Sequence, residues 1–538
     1  AAGLVVDGYN KVFRKDGEFY RAKAELTLPY PLNGDWAVDA PKFVSVGDAV
    51  LRQDLAGAGG AAMIGRGAQV VDSIAALRTL SRLSASKSAF VKGYYSPGDG
   101  GGGAYYLDAG DTSSTDNGGT VIVGADGGRW KLSQARLVSV LQFGAKADGS
   151  TDSSANVAAA ISALGYAFLP ADAGAYVFGG LSLAAGKRIY SDGKAYVKLP
   201  ATASYGVRVT AFAGGSVGLQ GQYASIEGIH FDGTACPAST TAIRFGTSSG
   251  NVFGFRGRNL MFSNLGEAIG DEDHATNYVV DVFFEDCTCI LTRGRQVFNR
   301  RSRGFFTFRD FRIDHTYNST QVTWGGAYFG DVIGLELEKF DVVGPVTPAA
   351  VYQAEAVGVT IVGAAGSASV WLRRLLIDNT RGPGLSINNI TNVFGVDTVI
   401  FQNLGSAMEL VSVTKSEFVN TKIVGSKGLA GAPESANGLS MSSCTSVTFN
   451  GLEVEECTGH GVVQVSCTDC SVIGGYSNSN TGWGFIEVTA ATRNLRSGVR
   501  ALSNAAGSLI QIGAQSATTN WWPNSGSFIQ QTFGAATI

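Results

Sequence analysis

Four acidic side chains stand where a reaction on a polymer could be carried out: Glu336, Glu338, Asp341 and Glu355. Hydrolysis of a glycosidic bond takes two carboxyl groups. One protonates the leaving oxygen, and the other activates water or attacks the anomeric carbon. Glu336 lies between Leu335 and Leu337, and Asp341 between Phe340 and Val342. Side chains alternate across a strand, so with the apolar residues inward both acids are expected to point outward. Glu338 falls at the bend between these two runs, and Glu355 alternates with Ala354 and Ala356 in the next strand. Asp314, Asp378, Glu285 and Glu455 recur at one turn position and are read as turn residues. Glu453 is outward as well, but its repeat carries no extra loop. Asp271-Glu-Asp-His274 is either a rival site or a solvated loop, and Asp310 is a further alternative.

Aromatic and basic residues accompany the acids. Tyr317, Trp324, Tyr328 and Tyr352 lie in the longest repeats, followed by Trp371, and aromatic faces stack on sugar rings. Arg293, Arg295, Arg300, Arg301, Arg303, Arg309 and Arg312 fall close together in a chain that is only 16% charged. A guanidinium pairs bidentately with a carboxylate. The cluster therefore reads either as a site for an acidic polysaccharide or as salt bridges to neighbouring acids or a second subunit. Arg312, outward on the repeat before Glu336, is the expected substrate contact.

The elements that must hold these residues form a repeat. Gly438, Gly461, Gly484 and Gly507 are evenly spaced, each opening a short apolar strand. Gly384 and Ala407 continue the series upstream, after an insertion around Lys427–Glu434. A second unit, apolar-x-apolar twice and then a polar pair, recurs in Leu335–Val342, Phe306–Ile313 and Val447–Val454. A short fixed period built from strands is the signature of a stacked β-solenoid, here of about eleven coils between Ala224 and Ile512. The steps between coils are longest from Phe284 to Ile377, so loops project there, and loops on a rigid scaffold carry function.

Composition agrees. Glycine is 73 of 538 residues, about twice the usual ~7%. A net charge of −3 argues against nucleic-acid binding, and no apolar run is long enough to insert in a membrane. The first residues lack the basic and apolar stretches of a secretory signal. Seven cysteines, an odd number, argue against a disulfide framework. Cys457-x-x-His460 with Cys467-x-x-Cys470 has zinc-like spacing. Cys444 and Cys467 are separated by the glycine period, which favours a stacked ladder instead. No metal or other cofactor is expected.

Val140-Leu-Gln-Phe-Gly-Ala-Lys-Ala-Asp-Gly-Ser-Thr-Asp-Ser resembles the opening motif of pectate-lyase-like right-handed β-helices, with Ser153 at the second acidic position. A capping helix follows, with Val157, Ile161 and Leu164 on one face. Upstream, Leu28-Pro-Tyr-Pro-Leu-Asn-Gly-Asp-Trp and Val46-Gly-Asp-Ala-Val-Leu-Arg-Gln-Asp-Leu resemble N-terminal adaptor domains of bacteriophage tail spikes. Tyr94-Tyr-Ser-Pro-Gly-Asp-Gly, with Gly128-Arg-Trp-Lys, resembles their neck module. Gly459-His-Gly461 resembles a polygalacturonase motif, but that family's upstream aspartate pair is absent.

The resemblance implies an all-β, homotrimeric tail spike whose right-handed parallel β-helix degrades a capsule or O-antigen polysaccharide at the bacterial surface. It implies an adaptor over 1–68 that docks on phage tail or baseplate proteins, a helix and neck over 69–135, a capped β-helix over 136–512 and a C-terminal segment over 513–538. Hydrolysis, β-elimination on a uronate polymer and non-catalytic gripping of surface sugar all fit this reading. The helix expected from Ile74, Leu77, Leu80 and Leu83 either lines a three-fold axis or packs on its own domain.

Overall fold

The computed structural model describes residues 4–46, 68–83, 86–133, 137–210, 223–272, 274, 276–291, 293–315, 326–344, 357–364, 368–427, 436–488, 492–512, 520–522 and 532–533. Tyr317, Trp324, Tyr352 and Glu355 lie outside these residues. The chain divides into two compact units, 1–135 and 136–538.

The first unit holds two small cores. Strands Val12–Lys15, Glu18–Ala22 and Phe43–Ser45 form an antiparallel sheet. Their core is Val6, Ala22, Leu32 and Phe43, against which Phe13, Tyr20 and Trp36 pack. The second sheet orders its strands Gln69–Val71, Ser88–Val91, Gly103–Asp108, Arg129–Leu132 and Val121–Val123. Only its first pair is parallel. The expected helix is short, Ile74–Arg78, capped by Ser73, whose hydroxyl accepts from the Ala76 N–H at 3.2 Å. Ile74 and Leu77 are buried in their own domain, whereas Leu83 is 85% exposed. The apolar spacing thus marks a packed turn and a half, and its last member falls beyond the helix.

The second unit is a parallel β-helix. Each coil contributes one long strand to an 18-stranded sheet and one short strand to a 14-stranded sheet. Consecutive coils pair in parallel, as Phe306 with Leu335 and Leu335 with Val370. The helix Ser154–Leu164 buries Val157, Ala160 and Ile161 at the start of the stack. Asp152 holds its first turn by accepting from the Ser154 N–H at 2.9 Å. Capping this end covers apolar core that would otherwise face water.

Seven successive coils of the 18-stranded sheet are bent at a residue in the left-handed region. Asn259, Asp286, Asp310, Lys339, Arg374, Asp397 and Asn420 have φ between 48° and 56°. They stack in one column, because the residues flanking them pair in register from coil to coil. Asn and Asp tolerate this conformation best and fill most of the column. The inserted residue breaks the alternation. Leu335 and Leu337 are inward before the bend, and Phe340 and Val342 after it. Such a residue bends a strand, so the two halves face in different directions.

The repeat glycines form a second column. A Cβ on Gly358, Gly384, Gly438 or Gly461 would lie 2.5–2.7 Å from the carbonyl oxygen of the corresponding residue one coil on. Close approach of the coils therefore favours glycine at these positions, although Ala407 holds the same column between Gly384 and Gly438. Gly507 departs from the expected alignment. Phe485 pairs with Leu509, so Gly507 faces Trp483 rather than Gly484. The coil between them is one residue longer than the period. Cys444 and Cys467 do stack, flanking the bridge between Thr445 and Thr468. All seven cysteines are buried and free.

Candidate active site

The first half of the bent strand carries Glu336 and Glu338. Glu338 belongs to a ladder of alternating charge, in the order Arg258, Glu285, Arg309, Glu338, Arg373 on successive coils. The pairs are tight. Arg258 meets Glu285 at 2.8 Å, Arg309 meets Glu338 at 2.8 Å, and Arg374 meets Glu338 at 3.3 Å. The Arg309 guanidinium holds the Glu338 carboxyl below the usual carboxylate range, helped by Arg374. A carboxylate so held is a poor proton donor. Glu336 stands one column away, between Thr307 and Trp371 on the neighbouring coils. Its arginine, Arg373, lies at 3.5 Å. Trp371 is followed in the same column by Phe394, which is 43% exposed. Glu336, Trp371 and Phe394 thus share one face.

Asp341 lies beyond the bend, in the second half of the strand. Its column runs Thr288, Arg312, Asp341, Leu376. Arg312 approaches Asp341 at 3.9 Å but donates to Asp314 from Nε at 3.1 Å and Nη2 at 2.8 Å. Loss of hydration pushes the Asp341 carboxyl up. Arg312 opposes the shift, and Asp310 adds to it. A carboxyl that keeps its proton more readily is suited to give it to a leaving oxygen. Segments 316–325 and 345–356 follow Asp314 and Val343 closely in the chain, so both begin near the end of this half of the strand.

The structure therefore separates Glu336 from Asp341. Both are outward, but on half-strands either side of Lys339. Arg312 and Asp341 are brought together with Asp314, which sequence reasoning set aside as a turn residue. Its signal was available: Arg312 and Asp314 are two apart on one strand, hence on one face.

The arginine cluster is spent mostly within the protein. Arg300 meets Asp271 at 3.0 Å, Arg301 and Arg303 both meet Asp331, and Arg309 meets Glu338. In the rival segment Asp271 points inward on the 14-stranded sheet, and burial pushes its carboxyl up to about 6. Glu272 is pulled down to about 2, chiefly by Arg208 at 2.6 Å. Asp273 lies outside the described residues. Tyr328 belongs to the 14-stranded sheet, beside Phe298. His460 Nδ1 accepts from the Trp483 backbone N–H at 2.9 Å, and the His460 backbone N–H donates to Asn437 Oδ1 at 2.9 Å, a place in the coil-to-coil ladder.

Comparison with known proteins bears on the first unit. Residues 70–135 match the family model described as phage tail protein small four-stranded β-sheet domain. A segment similar to this phage tail domain thus precedes the β-helix in the chain. Its four antiparallel strands run from Ser88 to Leu132, and Gln69–Val71 adds a parallel fifth. Among solved structures, tailspike protein 3 of bacteriophage CBA120 aligns over 94% of this chain and 74% of its own, at 16% identity and a TM-score of 0.49. Tailspike protein gp49 of Acinetobacter baumannii bacteriophage Fri1, a capsular polysaccharide depolymerase, aligns over 82% and 75%, at 15% identity and 0.47. Full-length tailspike protein 2 of an Escherichia coli O157:H7 bacteriophage aligns over 94% of this chain but 58% of its own, at 15% identity and 0.32.

Proposed function

We propose that this chain is a phage tail spike that binds and depolymerises a bacterial capsule or O-antigen polysaccharide by endo-acting hydrolysis. The supporting observation is the union of a phage tail module with a rigid parallel β-helix whose outer surface carries Asp341. The protein is located in the virion tail, acts at the bacterial surface as a homotrimer, and attaches to tail proteins through its N-terminal unit. Asp341 is the proton donor. Glu336, beside Trp371, contacts the sugar chain across the bend, and a second carboxylate serves the water. Glu355 is proposed for that role, and Tyr317, Trp324 and Tyr352 for sugar contacts, from their place in the sequence. Hydrolysis is favoured over elimination because most arginines near the acids already meet protein carboxylates, which leaves few to neutralise a uronate there. Digestion of purified bacterial surface polysaccharides tests the reading. New reducing ends without unsaturation support it. Unsaturated products would replace hydrolysis with elimination, and no product from any host polymer that the protein binds would reduce it to a gripping spike.

A further inference from the structure

Asp378 stands apart from the other acids read as turn residues. Arg258 and Arg309 meet Glu285, Arg312 meets Asp314, and Lys422 meets Glu455. Arg373 and Arg374, just before Asp378 in the chain, turn to Glu336 and Glu338 instead. Arg381, just after it, is buried. Among the described residues no basic side chain forms an ion pair with Asp378. Loss of hydration pushes its carboxyl up, against the pull of the Asn379 N–H. A carboxylate with no protein cation to satisfy is free to take a proton from a water or to hold a sugar hydroxyl.

Register places Asp378 beside Asp341. Asp341 pairs with Leu376 on the next coil, and Val343 pairs with Asp378. Leu376 and Asp378 are two apart on one strand, so both acids share a face and are diagonal neighbours. Strand spacing and rise per residue put their Cα atoms about 8 Å apart. Asp341 is shifted by loss of hydration, Arg312 and Asp310, and Asp378 by loss of hydration and Asn379. Neither acid is among the groups that shift the other, so their carboxyl groups are not in contact. A pair about 6.5–9.5 Å apart leaves room for a water between acid and substrate, and gives inversion. The surface around the pair is apolar. Val343 and Leu376 lie between the two acids, and Val399 and Phe401 follow on the next coil, all half-buried. Such a surface suits the C–H face of a sugar ring. On the preceding coil Arg312 is held by Asp314, which keeps its charge from Asp378.

We propose that Asp378 is the carboxylate that takes a proton from the attacking water while Asp341 gives one to the leaving oxygen. Place in the sequence favours Glu355 for this role, and the described surface favours Asp378. The water oxygen bonds to the anomeric carbon on the side opposite the leaving group. The bond from that carbon to the glycosidic oxygen breaks, and its electron pair takes the Asp341 proton. Asp378 ends the step protonated and Asp341 ionised, and proton exchange with solvent restores both. This deepens the hydrolase reading and rests on it.

The test uses the full chain and purified capsular and O-antigen polysaccharides, from which one that the parent cleaves is chosen. Asp378→Asn should lower turnover at least ~10²-fold while polymer binding and the unfolding curve match the parent. If that variant misfolds, Asp378→Ser, with a smaller uncharged side chain, replaces it. In Asp378→Ala, added sodium azide should restore turnover and release a glycosyl azide of inverted configuration. NMR of fresh parent digests should show the inverted anomer at the new reducing end. A parent that cleaves no polysaccharide sinks the hydrolase reading itself. With an active parent, retained configuration, an Asp378→Asn rate within a few fold of the parent, or an inactive Asp378→Ala that azide does not rescue overturns the role of Asp378 and leaves hydrolysis standing.

Discussion

The two sheets of the β-helix treat acids on their outer faces in different ways. On the long-strand face Glu338 is gripped by Arg309 and Arg374, within a ladder that alternates sign from coil to coil. On the short-strand face Glu267 sinks into a glycine notch and bonds to a hydroxyl. The first carboxyl is driven down and the second up. Asp341 belongs with Glu267 in this respect, although it sits on a long strand, because loss of hydration outweighs the pull of Arg312, which donates to Asp314 instead. Outward position therefore says little about chemistry. The partner within reach decides whether a carboxyl is a structural charge or a group that can hold and pass a proton.

The sharpest break in this comparison is Asp341→Asn. It preserves size and removes the one long-strand acid argued to donate a proton. Turnover on a cleaved polysaccharide should fall at least ~10²-fold while the unfolding curve stays in place. A change of only a few fold would move catalysis to the short-strand face or to the long segments. The next effect concerns the frame that both faces share. Gly461→Ala puts a Cβ 2.0 Å from the Ser477 hydroxyl and 2.6 Å from the Gly484 carbonyl. A destabilisation of about 1–3 kcal/mol is expected, as for an overpacked core. Denaturant unfolding measures it, and Ala407→Gly, in the same column, should cost far less. Deleting residues 1–135 should leave cleavage intact and abolish incorporation into phage particles, which plaque and pull-down assays report.

Much of the frame was legible in the sequence, because stacking forces like onto like. The glycine column follows from carbonyl contact between coils, the cysteine pair from the same period, and the coil lengths from the runs around Leu335 and Phe340. Gly507 failed because one added residue shifts every later pairing, and spacing alone does not show where the addition falls. The site was less legible. Alternation placed Glu336 and Asp341 outward, as they are, but it carries no sign of the left-handed residue at 339 that sets them on different faces. Nor does it show which arginine meets which acid. Arg309 and Arg312 read alike as outward bases, yet one saturates Glu338 and the other leaves Asp341 for Asp314. Glu267 gave no signal, since its setting depends on a glycine three residues on and a threonine one coil back.

The smallest expected effect sharpens the same contrast. Glu338→Gln removes the centre of the charge ladder without touching the apolar core. If the ladder is structural, cleavage should stay within a few fold of the parent and the melting temperature should drop by no more than ~2 °C. The pH dependence has a definite sign. The folded carboxyl of Glu338 is depressed, so its contribution to stability is present above the unfolded carboxylate value and is lost as pH falls through the folded one. The variant should therefore differ from the parent at neutral pH and converge with it in acid. Added salt should narrow the gap as well, because exposed pairs are screened. A large loss of turnover in Glu338→Gln, with unfolding unchanged, would make the gripped acid a participant and remove the distinction drawn between it and Asp341.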